Sequence, residues 1–462
     1  MVYNYKEKEI HERGINMEKV IVIGGNAAGM SAASQVKRQQ PDWEVIVYEK
    51  GPYISYGACG IPYHVKGLVN KLSDLVTVTP EEAVSKRNLD VRMHHEVVAI
   101  DPHSKTITYR ADDNKGQESY DYLVIATGAR PLKAEIEYSP SDLIYTVHTL
   151  NDSQALRSLL DRKKLMSCAV IGGGYIALEM LEALHSRGLK THMIHRRDAL
   201  SRSFEQEISA IALSAMEDEG IVLNLNHTVK QIEAQDRSVE VITDQGTLLY
   251  ELVVIGTGVE PNSDLARECG IDTGVRGSIK VNEYLQTNIT NIYAAGDCTE
   301  TKNSVSGQPV FVPLALKANK EGVVAGINIA GGQEAFPGVL GTAITKFGNL
   351  GLARTGLTLA EAQKCGFDAF KFKVESNSRA HYYPGQGPMT FILIADRKDG
   401  RLLGAQIAGP ADSVKRIDVY ATAITANMNL DQIFHLDLAY APPFSPVYDP
   451  VVLTGRVGRK MV

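Results

Sequence analysis

The sequence predicts an α/β fold with two similar strand–turn–helix units, followed by a C-terminal α+β region. A glycine-rich turn between an apolar strand and a helix occurs twice, about 150 residues apart, and alternating strands follow beyond about residue 335. The chain has 462 residues, 44% of them hydrophobic and 22% charged, as is ordinary for a globular protein of several domains. Its formal net charge of −6 predicts no binding to nucleic acid or to a membrane surface, and no apolar run is long enough to span a bilayer.

The first unit covers residues 17–50. A run of β-branched residues precedes the turn at residues 24–29, a helix is predicted over residues 30–40, and a second strand ends at Glu49. A glycine turn that opens a helix, with an acid about 20–25 residues later, is typical of dinucleotide binding. The helix N-terminus attracts the pyrophosphate, and the acid accepts a hydrogen bond from a ribose hydroxyl. Asn26 stands where the motif prefers its second glycine, and such a turn alone is also compatible with an ordinary strand-to-helix connection.

The second unit begins with an apolar strand at Cys168, continues through three glycines into a helix, and ends with a strand at His195. Two dinucleotide units in one oxidoreductase indicate a flavin adenine dinucleotide (FAD) and a nicotinamide. The acid expected after the second strand is replaced by His195, Arg196 and Arg197. Basic side chains there suit a 2′-phosphate, so the pattern favours NADPH, or use of both nucleotides, over strict NADH. A solvated basic corner is the alternative interpretation.

Later segments fit the same plan. Two strands that end in glycine, residues 120–128 and 252–258, each follow a polar stretch expected to form a β-meander. An apolar strand then leads to Gly296 and Asp297, where the carboxylate is expected on the flavin ribityl chain. The proline-rich apolar segment 437–450 excludes helix and needs a partner surface, which predicts dimerisation. The predicted domains are an N-terminal tail (1–16), an FAD domain (17–128 and 258–334), an NAD(P) domain (129–257) and a dimerisation domain (335–462).

Residues 55–63 hold a single cysteine, Cys59, among small residues shortly after the first unit. We expect this thiol to be the redox-active centre of a flavin- and nicotinamide-dependent reductase. The five cysteines are odd in number and far apart, which favours neither a disulfide framework nor a metal site and predicts a reducing, cytoplasmic location. The N-terminus lacks the apolar region of a secretory signal. The other cysteines are expected in the core: Cys168, Cys269, Cys298 and Cys365.

From about Met17 onward the chain resembles the flavoprotein disulfide reductases, on the motifs at residues 24–29, 55–63, 126–128, 172–179 and 296–297. Within them it is similar to the single-cysteine branch, which contains coenzyme A disulfide reductases, persulfide reductases, NADH oxidases and NADH peroxidases. The resemblance implies tightly bound FAD, an α/β fold with two Rossmann-like domains, and a homodimer. It also implies that the partner's C-terminal domain completes each active site.

The resemblance also bears on the chemistry of Cys59. The positions five before and five after it hold Ile54 and His64, so the paired cysteines of glutathione-reductase-like members are absent at that spacing. Cys59 is therefore expected to cycle through a mixed disulfide, a persulfide or a sulfenic acid, with a pKa lowered by the flavin edge and a nearby helix N-terminus. Oxidases and peroxidases of the branch carry a histidine at the position of Ala27, which argues against oxygen or peroxide as the main acceptor.

Coenzyme A disulfide reductases bring tyrosines from the partner subunit to the cysteine. Tyr440 matches one of them, and Tyr382 or Tyr383 matches the other, with Tyr382 better aligned. A phenol is protonated at neutral pH and can donate to a departing thiolate. Ordinary interface aromatics are the alternative interpretation. Tyr448 stands where some relatives place a lysine.

Three sets of contacts follow from the motifs and the resemblance. Glu179 is expected to orient the nicotinamide, and a helix that starts near Ala315 is expected to face the flavin ring. The FAD set is Gly24, Gly25, Asn26, Ala27, Ala28, Glu49, Lys50, Ser55, Val97, Ala126, Thr127, Gly128, Arg130, Gly296, Asp297, Pro313, Leu314 and Ala315. The NAD(P) set is Gly172, Gly173, Gly174, Tyr175, Ile176, Glu179, His195, Arg196, Arg197, Gly256 and Gly258. The coenzyme A set is Ser31, Gln35, Arg38, Ser55, Arg87, Tyr382, Tyr440 and Tyr448.

The sequence thus predicts an FAD-dependent enzyme that uses NAD(P)H to reduce coenzyme A disulfide, or coenzyme A persulfide or polysulfide, through Cys59. An NAD(P)H oxidase that reduces oxygen is one alternative. An electron-transfer or redox-sensing flavoprotein that acts on a protein partner is another. The choice between coenzyme A disulfide, persulfide and another small thiol stays open at this point, as does the choice between NADH and NADPH.

Overall fold

The computed structural model describes residues 17–132 and 136–462, and the predicted N-terminal tail lies outside them. The first sheet has five parallel strands with the strand of the first unit at its centre. Its central strands are buried on both faces, as their continuous β-branched sequence predicts. The strands lie in the order Ile292–Ala294, Tyr122–Ile125, Lys19–Ile23, Glu44–Glu49 and Asp90–Met93.

The second sheet repeats this plan with five parallel strands. The strand before its glycine turn is again central, and the strand that ends at His195 again lies beside it. The unit that occurs twice in the sequence therefore also occurs twice in the strand topology. The strands lie in the order Ile144–Tyr145, Val253–Ile255, Ser167–Ile171, Lys190–His195 and Val222–Leu225.

Small antiparallel sheets connect the parts of each unit, where β-meanders were expected. The first is His95–Asp101, Thr106–Ala111 and Asn114–Ser119, and the second is Val229–Ala234, Val239–Thr243 and Gly246–Tyr250 with Glu137–Tyr138 added in parallel. Two strand pairs complete these connections: Ala129–Pro131 with Val259–Pro261, and Thr301–Lys302 with Pro309–Val310.

The C-terminal region contains a five-stranded antiparallel sheet, as the alternating pattern predicts. Helices cover this sheet, so the α/β fold with a C-terminal α+β region is confirmed. The strands lie in the order Ala343–Phe347, Leu350–Gly356, Leu402–Pro410, Pro388–Asp396 and Ala369–Asn377.

The described residues form twelve α-helices. No helix among them is long and apolar enough to cross a membrane. The helices are α1 (Ala27–Gln39), α2 (Ile61–Lys66), α3 (Pro80–Arg87), α4 (Leu150–Arg162), α5 (Tyr175–Ser186), α6 (Gln206–Asp218), α7 (Asp264–Glu268), α8 (Ala315–Ile329), α9 (Leu359–Lys364), α10 (Ile417–Thr425), α11 (Leu430–Phe434) and α12 (Pro450–Gly458).

Three details differ from the sequence prediction. Helix α1 begins at Ala27 rather than Met30, so the first turn is only three residues long. The helix expected near residues 412–428 is a short 3₁₀ turn followed by α10. Helix α12 was not predicted because the proline-rich segment 437–450 suggested extended chain. Its last proline, Pro450, instead occupies the first helical position, where the N–H that proline lacks would have no partner in the helix.

Helix α8 lies directly against α1 because two of its glycines lack side chains. A Cβ added at Gly322 would collide with the carbonyl oxygen of Ala28. This contact brings the residues after Asp297 against the first nucleotide helix. Among the cysteines, Cys168 and Cys298 are buried as predicted, but Cys365 is exposed, so its predicted core position was wrong. Cys365 directly follows α9, whose capping box holds only the other end of that helix.

Candidate active site

The first glycine turn has the backbone that a dinucleotide requires. Gly24 has a φ of +106°, and a Cβ there would collide with the carbonyl oxygen of Ala126. The carboxylate of Glu49 accepts the N–H groups of Gly25 (2.8 Å) and Gly51 (2.7 Å). The predicted ribose acceptor is therefore held rigidly beside the turn, in an arrangement that fits an adenine dinucleotide.

The contacts of Asn26 explain why an asparagine stands where the motif prefers its second glycine. Its side chain makes no capping bond to α1 but accepts the backbone N–H of Tyr56 at 3.1 Å. The N–H of Ser55 also donates to the carbonyl of Gly25 (2.8 Å), and Ser55 has a φ of +45°. A non-glycine residue in the left-handed region marks local strain, which often occurs at functional sites. Asn26 thus joins the nucleotide turn to the segment that carries the cysteine.

Cys59 lies in a 3₁₀ turn (Ala58–Gly60) directly ahead of α2. The thiol-bearing residue is exposed in the single chain. Helix α2 packs between α4 and α5 of the second nucleotide unit and is fixed there by polar contacts. Nδ1 of His64 hydrogen-bonds Oγ of Ser153 at 2.8 Å, and Nη1 of Arg157 donates to the carbonyls of His64 (2.9 Å) and Val69 (2.7 Å). Cys59 therefore stands where the two nucleotide units meet.

The groups around Cys59 act against thiolate formation. Although the residue is exposed in the single chain, partial burial of its sulfur raises its pKa, and the carboxylates of Glu179 and Asp297 raise it further. The expected lowering of the Cys59 pKa depends on the flavin edge, and the protein groups alone act in the opposite direction. Burial also raises the pKa of Glu179 to about 7, although the hydroxyl of Thr345 donates to it at 3.4 Å. Glu179 lies in α5, which follows the second glycine turn, and its charge acts on Cys59.

Asp297 carries a buried oxygen, Oδ1, without a hydrogen-bond partner among the described residues. It follows Gly296, whose φ of +90° forms a sharp turn. A buried ion pair supports this turn: Nζ of Lys317 lies 3.0 Å from Oε2 of Glu321 and donates to the carbonyl of Gly296 at 2.8 Å. Oε2 of Glu321 also accepts the N–H of Gly296 at 2.9 Å and the hydroxyl of Thr299 at 3.0 Å. The unpaired Asp297 oxygen fits the hydroxyl groups of a ribityl chain.

The second glycine turn repeats the geometry of the first. Gly172 has a φ of +130°, and a Cβ there would collide with the carbonyl oxygen of Gly256. A Cβ on Gly173 would lie 3.0 Å from the ring of His195. The buried Nε2 of His195 and the hydroxyl of Tyr175 have no hydrogen-bond partner within the described ranges. These unpaired groups beside a close backbone turn fit a second dinucleotide.

A cluster of guanidinium groups lies beyond His195. Burial lowers the pKa of Arg197, and the charges of Arg202 and Arg196 lower it further. None of these three arginines makes an ion pair in the part of the chain that the structure describes. Arg202 was not among the residues predicted from the sequence, although it follows Arg197 closely in the chain. Three mutually repelling cations without an ion-pair partner in the described residues suit a phosphate.

Tyr382 and Tyr440 come together although 58 residues separate them. A hydrogen bond to Tyr382 raises the pKa of Tyr440. They line a cavity of about 350 Å³ together with Arg379, His381 and Val447. Tyr383 does not line this cavity, so the structure favours Tyr382 as the second tyrosine of the pair. Within the described part of one chain, no hydrogen bond joins either tyrosine to Cys59.

Three of the predicted coenzyme A residues, Ser31, Gln35 and Arg38, lie on α1, and Arg87 is the last residue of α3. Ser31 donates to the side chain of Asn319 (3.0 Å), and Nη1 of Arg87 donates to Ser34 (2.9 Å). Arg38 is exposed and donates to the buried Gln35. The sequence did not indicate Ser34 and Asn319, because they meet Arg87 and Ser31 only when the helices pack. Near the C-terminus, the guanidinium carbon of Arg456 lies 5.4 Å from the ring centroid of Tyr448.

The remaining predicted residues flank these turns. Arg130 pairs with Glu260 (2.7 Å) and Asp264, so its guanidinium is already committed to the strand pair that links the two units. Thr127 donates its hydroxyl to the carbonyl of Asn262 at 2.6 Å. The other positions are distributed over turns and elements of both units. Ala27 and Ala28 begin α1, Lys50 follows the strand Glu44–Glu49, Val97 lies in the strand His95–Asp101, Gly128, Gly174 and Gly258 lie in turns, Ile176 lies in α5, and Pro313, Leu314 and Ala315 lead into α8.

Two parallel sheets with matching glycine turns, and a lone cysteine between them, define a class of oxidoreductase that binds two dinucleotides. The comparisons with known proteins specify the family. The pyridine nucleotide-disulphide oxidoreductase family matches residues 18–322, and its dimerisation domain matches residues 342–450. The chain belongs to this family, whose members use FAD and NAD(P)H.

Three similar proteins span nearly the whole chain. A protein of Pyrococcus horikoshii named NAD(P)H coenzyme A polysulfide/persulfide reductase is 42% identical over 96% of this chain and 99% of its own length. The coenzyme A disulfide reductase of Staphylococcus haemolyticus is 31% identical over 96% of this chain and 100% of its own. The solved structure of an NAD-dependent persulfide reductase from A. fulgidus has a TM-score of 0.93 and 37% identity, covering 96% of this chain and 83% of that one.

Proposed function

We propose that this protein is an FAD-dependent reductase that uses NAD(P)H to reduce coenzyme A disulfide or coenzyme A persulfide through Cys59. The observation that carries the proposal is the link between the first glycine turn and the segment of Cys59, through Asn26 and Tyr56. It joins a nucleotide site to a thiol that has no second cysteine at the spacing of an internal disulfide. The names of the two similar proteins supply the coenzyme A substrates.

The reaction divides into two thiol releases. The Cys59 thiolate attacks one sulfur of the disulfide, a Cys59–coenzyme A disulfide forms, and the first coenzyme A leaves as a thiolate that takes a proton. Two electrons from the nicotinamide hydride then break the mixed disulfide, which releases the second thiol and regenerates the Cys59 thiolate. One NAD(P)H and one proton thus yield two thiols. Bound FAD supplies the two-electron transfer between the nicotinamide and the sulfur.

The raised pKa of Cys59 suits a resting enzyme whose cysteine is bonded to coenzyme A. A free thiolate is disfavoured by burial and by Glu179 and Asp297, whereas a disulfide carries no charge. The exposed guanidinium groups of Arg38 and Arg87 on neighbouring helices are available for the phosphates of the nucleotide. Ser31 and Ser55 supply hydroxyl groups between that end and the sulfur.

A homodimer brings Tyr382 and Tyr440 of the partner to each Cys59. The dimerisation domain of the family supports the dimer, and the exposure of both tyrosines in one chain supports their contact with another. Their protonated phenols donate to the departing sulfur. In this arrangement residues 17–128 and 258–334 bind FAD, residues 129–257 bind NAD(P)H and residues 335–462 form the dimer, in a reducing, cytoplasmic location.

Mass spectrometry of the purified protein tests the proposal directly. We expect an adduct of coenzyme A mass on the Cys59 peptide that disappears on reduction. The Cys59→Ser variant should keep FAD and lose disulfide-dependent NAD(P)H oxidation. Full turnover in that variant would contradict the proposal. Oxygen uptake equal to NAD(P)H consumption without thiol substrate would instead identify an oxidase, and slow turnover with every small disulfide would identify an electron-transfer protein.

A further inference from the structure

The two tyrosines lie on segments that have no regular structure. Tyr382 lies between the strands Ala369–Asn377 and Pro388–Asp396, and Tyr440 lies between α11 and α12. A backbone hydrogen bond joins the segments, from the N–H of Ala380 to the carbonyl of Pro442 at 3.2 Å. Irregular segments depend on side-chain contacts for a fixed geometry. The tyrosine pair therefore needs another support.

Arg416, which precedes α10, provides contacts to both segments. Its Nη2 donates to the carbonyl of Ser378 at 3.3 Å, at the base of the Tyr382 segment. The same nitrogen donates to the carbonyl of Phe444, in the Tyr440 segment. Nη1 donates to the carbonyl of Ser413 at 3.3 Å, which fixes the guanidinium to its own turn. One planar group thus spans the gap between the two segments.

Asp449 anchors this guanidinium. Its Oδ2 lies 3.0 Å from Nε of Arg416 and also accepts the hydroxyl of Ser445 at 2.9 Å. Its Oδ1 caps α12 by accepting the N–H of Val451 at 2.9 Å. The side chains of Arg416 and Asp449 are only 15% and 11% exposed. The pair therefore connects both tyrosine segments to the rigid end of a helix.

We propose that Arg416 is a positioning residue that holds Tyr382 and Tyr440 together for proton donation to the departing sulfur. This inference rests on the proposed function. Several donors of one flat guanidinium reach carbonyl oxygens on different segments, and a lysine ammonium does not reproduce that geometry. Arg416 acts on the thiol-releasing steps and not on hydride transfer, because both nucleotide turns lie in other parts of the chain.

The test compares Arg416→Met and Arg416→Lys with Arg459→Met. Arg459 is a matched control because it pairs with Asp431 at 3.0 Å and lies over the ring of Phe434, without a bond to either tyrosine segment. In the dimeric, FAD-loaded enzymes, we expect flavin reduction by NADPH to stay within about twofold. Turnover with coenzyme A disulfide should fall about tenfold or more in Arg416→Met and less in Arg416→Lys. The control should retain both rates.

A double-mutant cycle separates positioning from general stability. In a Tyr382→Phe/Tyr440→Phe background, Arg416→Met should cause no further loss, because its effect passes through the tyrosines. A further tenfold loss there, or an equal loss of flavin reduction, would overturn the inference. If the tyrosine changes had a large effect while Arg416→Met kept normal turnover, only the proposed role of Arg416 would be overturned. Normal turnover without both phenols would overturn the proposed proton donation as well.

Discussion

The buried pair of Lys317 and Glu321 offers a sharp test of how the flavin side of the site is held. Both side chains are 1% exposed, and both bind the turn that carries Asp297. Replacing Lys317 by Met leaves the Glu321 carboxylate buried without its counter-charge. Breaking a buried pair in this way costs about 3–5 kcal/mol of unfolding free energy.

The double variant Lys317→Met/Glu321→Leu is the informative comparison. It removes both charges and leaves the N–H of Gly296 without its acceptor, at a cost of about 1–3 kcal/mol, whereas the hydroxyl of Thr299 keeps the carbonyl of Gly296 as an acceptor at 2.7 Å. We therefore expect the double variant to be more stable than the single one at about pH 8. Urea unfolding at one protein concentration and with excess FAD measures both differences.

The pH dependence supplies a second readout. Burial raises the pKa of Glu321, and the charge of Lys317 lowers it. Without Lys317 this pKa rises further above its unfolded value, so the folded state holds a proton more tightly. Stability of Lys317→Met should thus fall as the pH rises, and its deficit should shrink toward about pH 6. A single variant as stable as wild type, or a double variant less stable than the single one, would refute this reasoning.

Three further predictions concern the cofactor turns and the thiol. Arg202→Gln should raise KM for NADPH about tenfold and leave KM for NADH within about twofold, because one charged hydrogen bond to phosphate contributes about 1.5–3 kcal/mol; equal changes for both nucleotides would contradict a 2′-phosphate site. Asn26→Ala removes the acceptor of the Tyr56 N–H and should lower the unfolding free energy by about 1 kcal/mol and slow Cys59 alkylation or disulfide turnover, whereas unchanged values would show that the link is dispensable. Glu179→Gln should shift the pH profile for alkylation of reduced Cys59 to lower pH, because it removes a negative charge near the thiol; a shift to higher pH would be inconsistent with the carboxylate's effect.

The sequence predicted the parts of the molecule that depend on local pattern. Glycines such as Gly24 and Gly172 sit at positive φ beneath a carbonyl of the neighbouring strand, a requirement that only glycine meets. The buried parallel strands were predicted from continuous β-branched runs, which are also a local pattern. The start of α1 was misplaced because the glycine turn was taken to run through Gly29, whereas the helix begins directly after Asn26.

The supporting residues could not be predicted in this way because their partners are distant in the chain. Arg416 meets Ser378 and Phe444 across 38 and 28 residues, and Ser34 meets Arg87 across 53. Such contacts arise only when the elements pack. The same holds for the carboxylates of Glu179 and Asp297, which other elements bring to Cys59 and which raise its pKa.

The groups around Cys59 and the tyrosine pair imply different roles for the two subunits of the proposed dimer. In thiol–disulfide exchange the sulfur with the lower thiol pKa leaves faster. Burial and the carboxylates of Glu179 and Asp297 raise the pKa of Cys59, which makes it the poorer leaving group in its own mixed disulfide. In the proposed mechanism, the phenols of Tyr382 and Tyr440 assist departure of the other sulfur by donating a proton. Both effects direct bond cleavage toward release of coenzyme A, one through the chain that carries the cysteine and the other through the partner that carries the tyrosines.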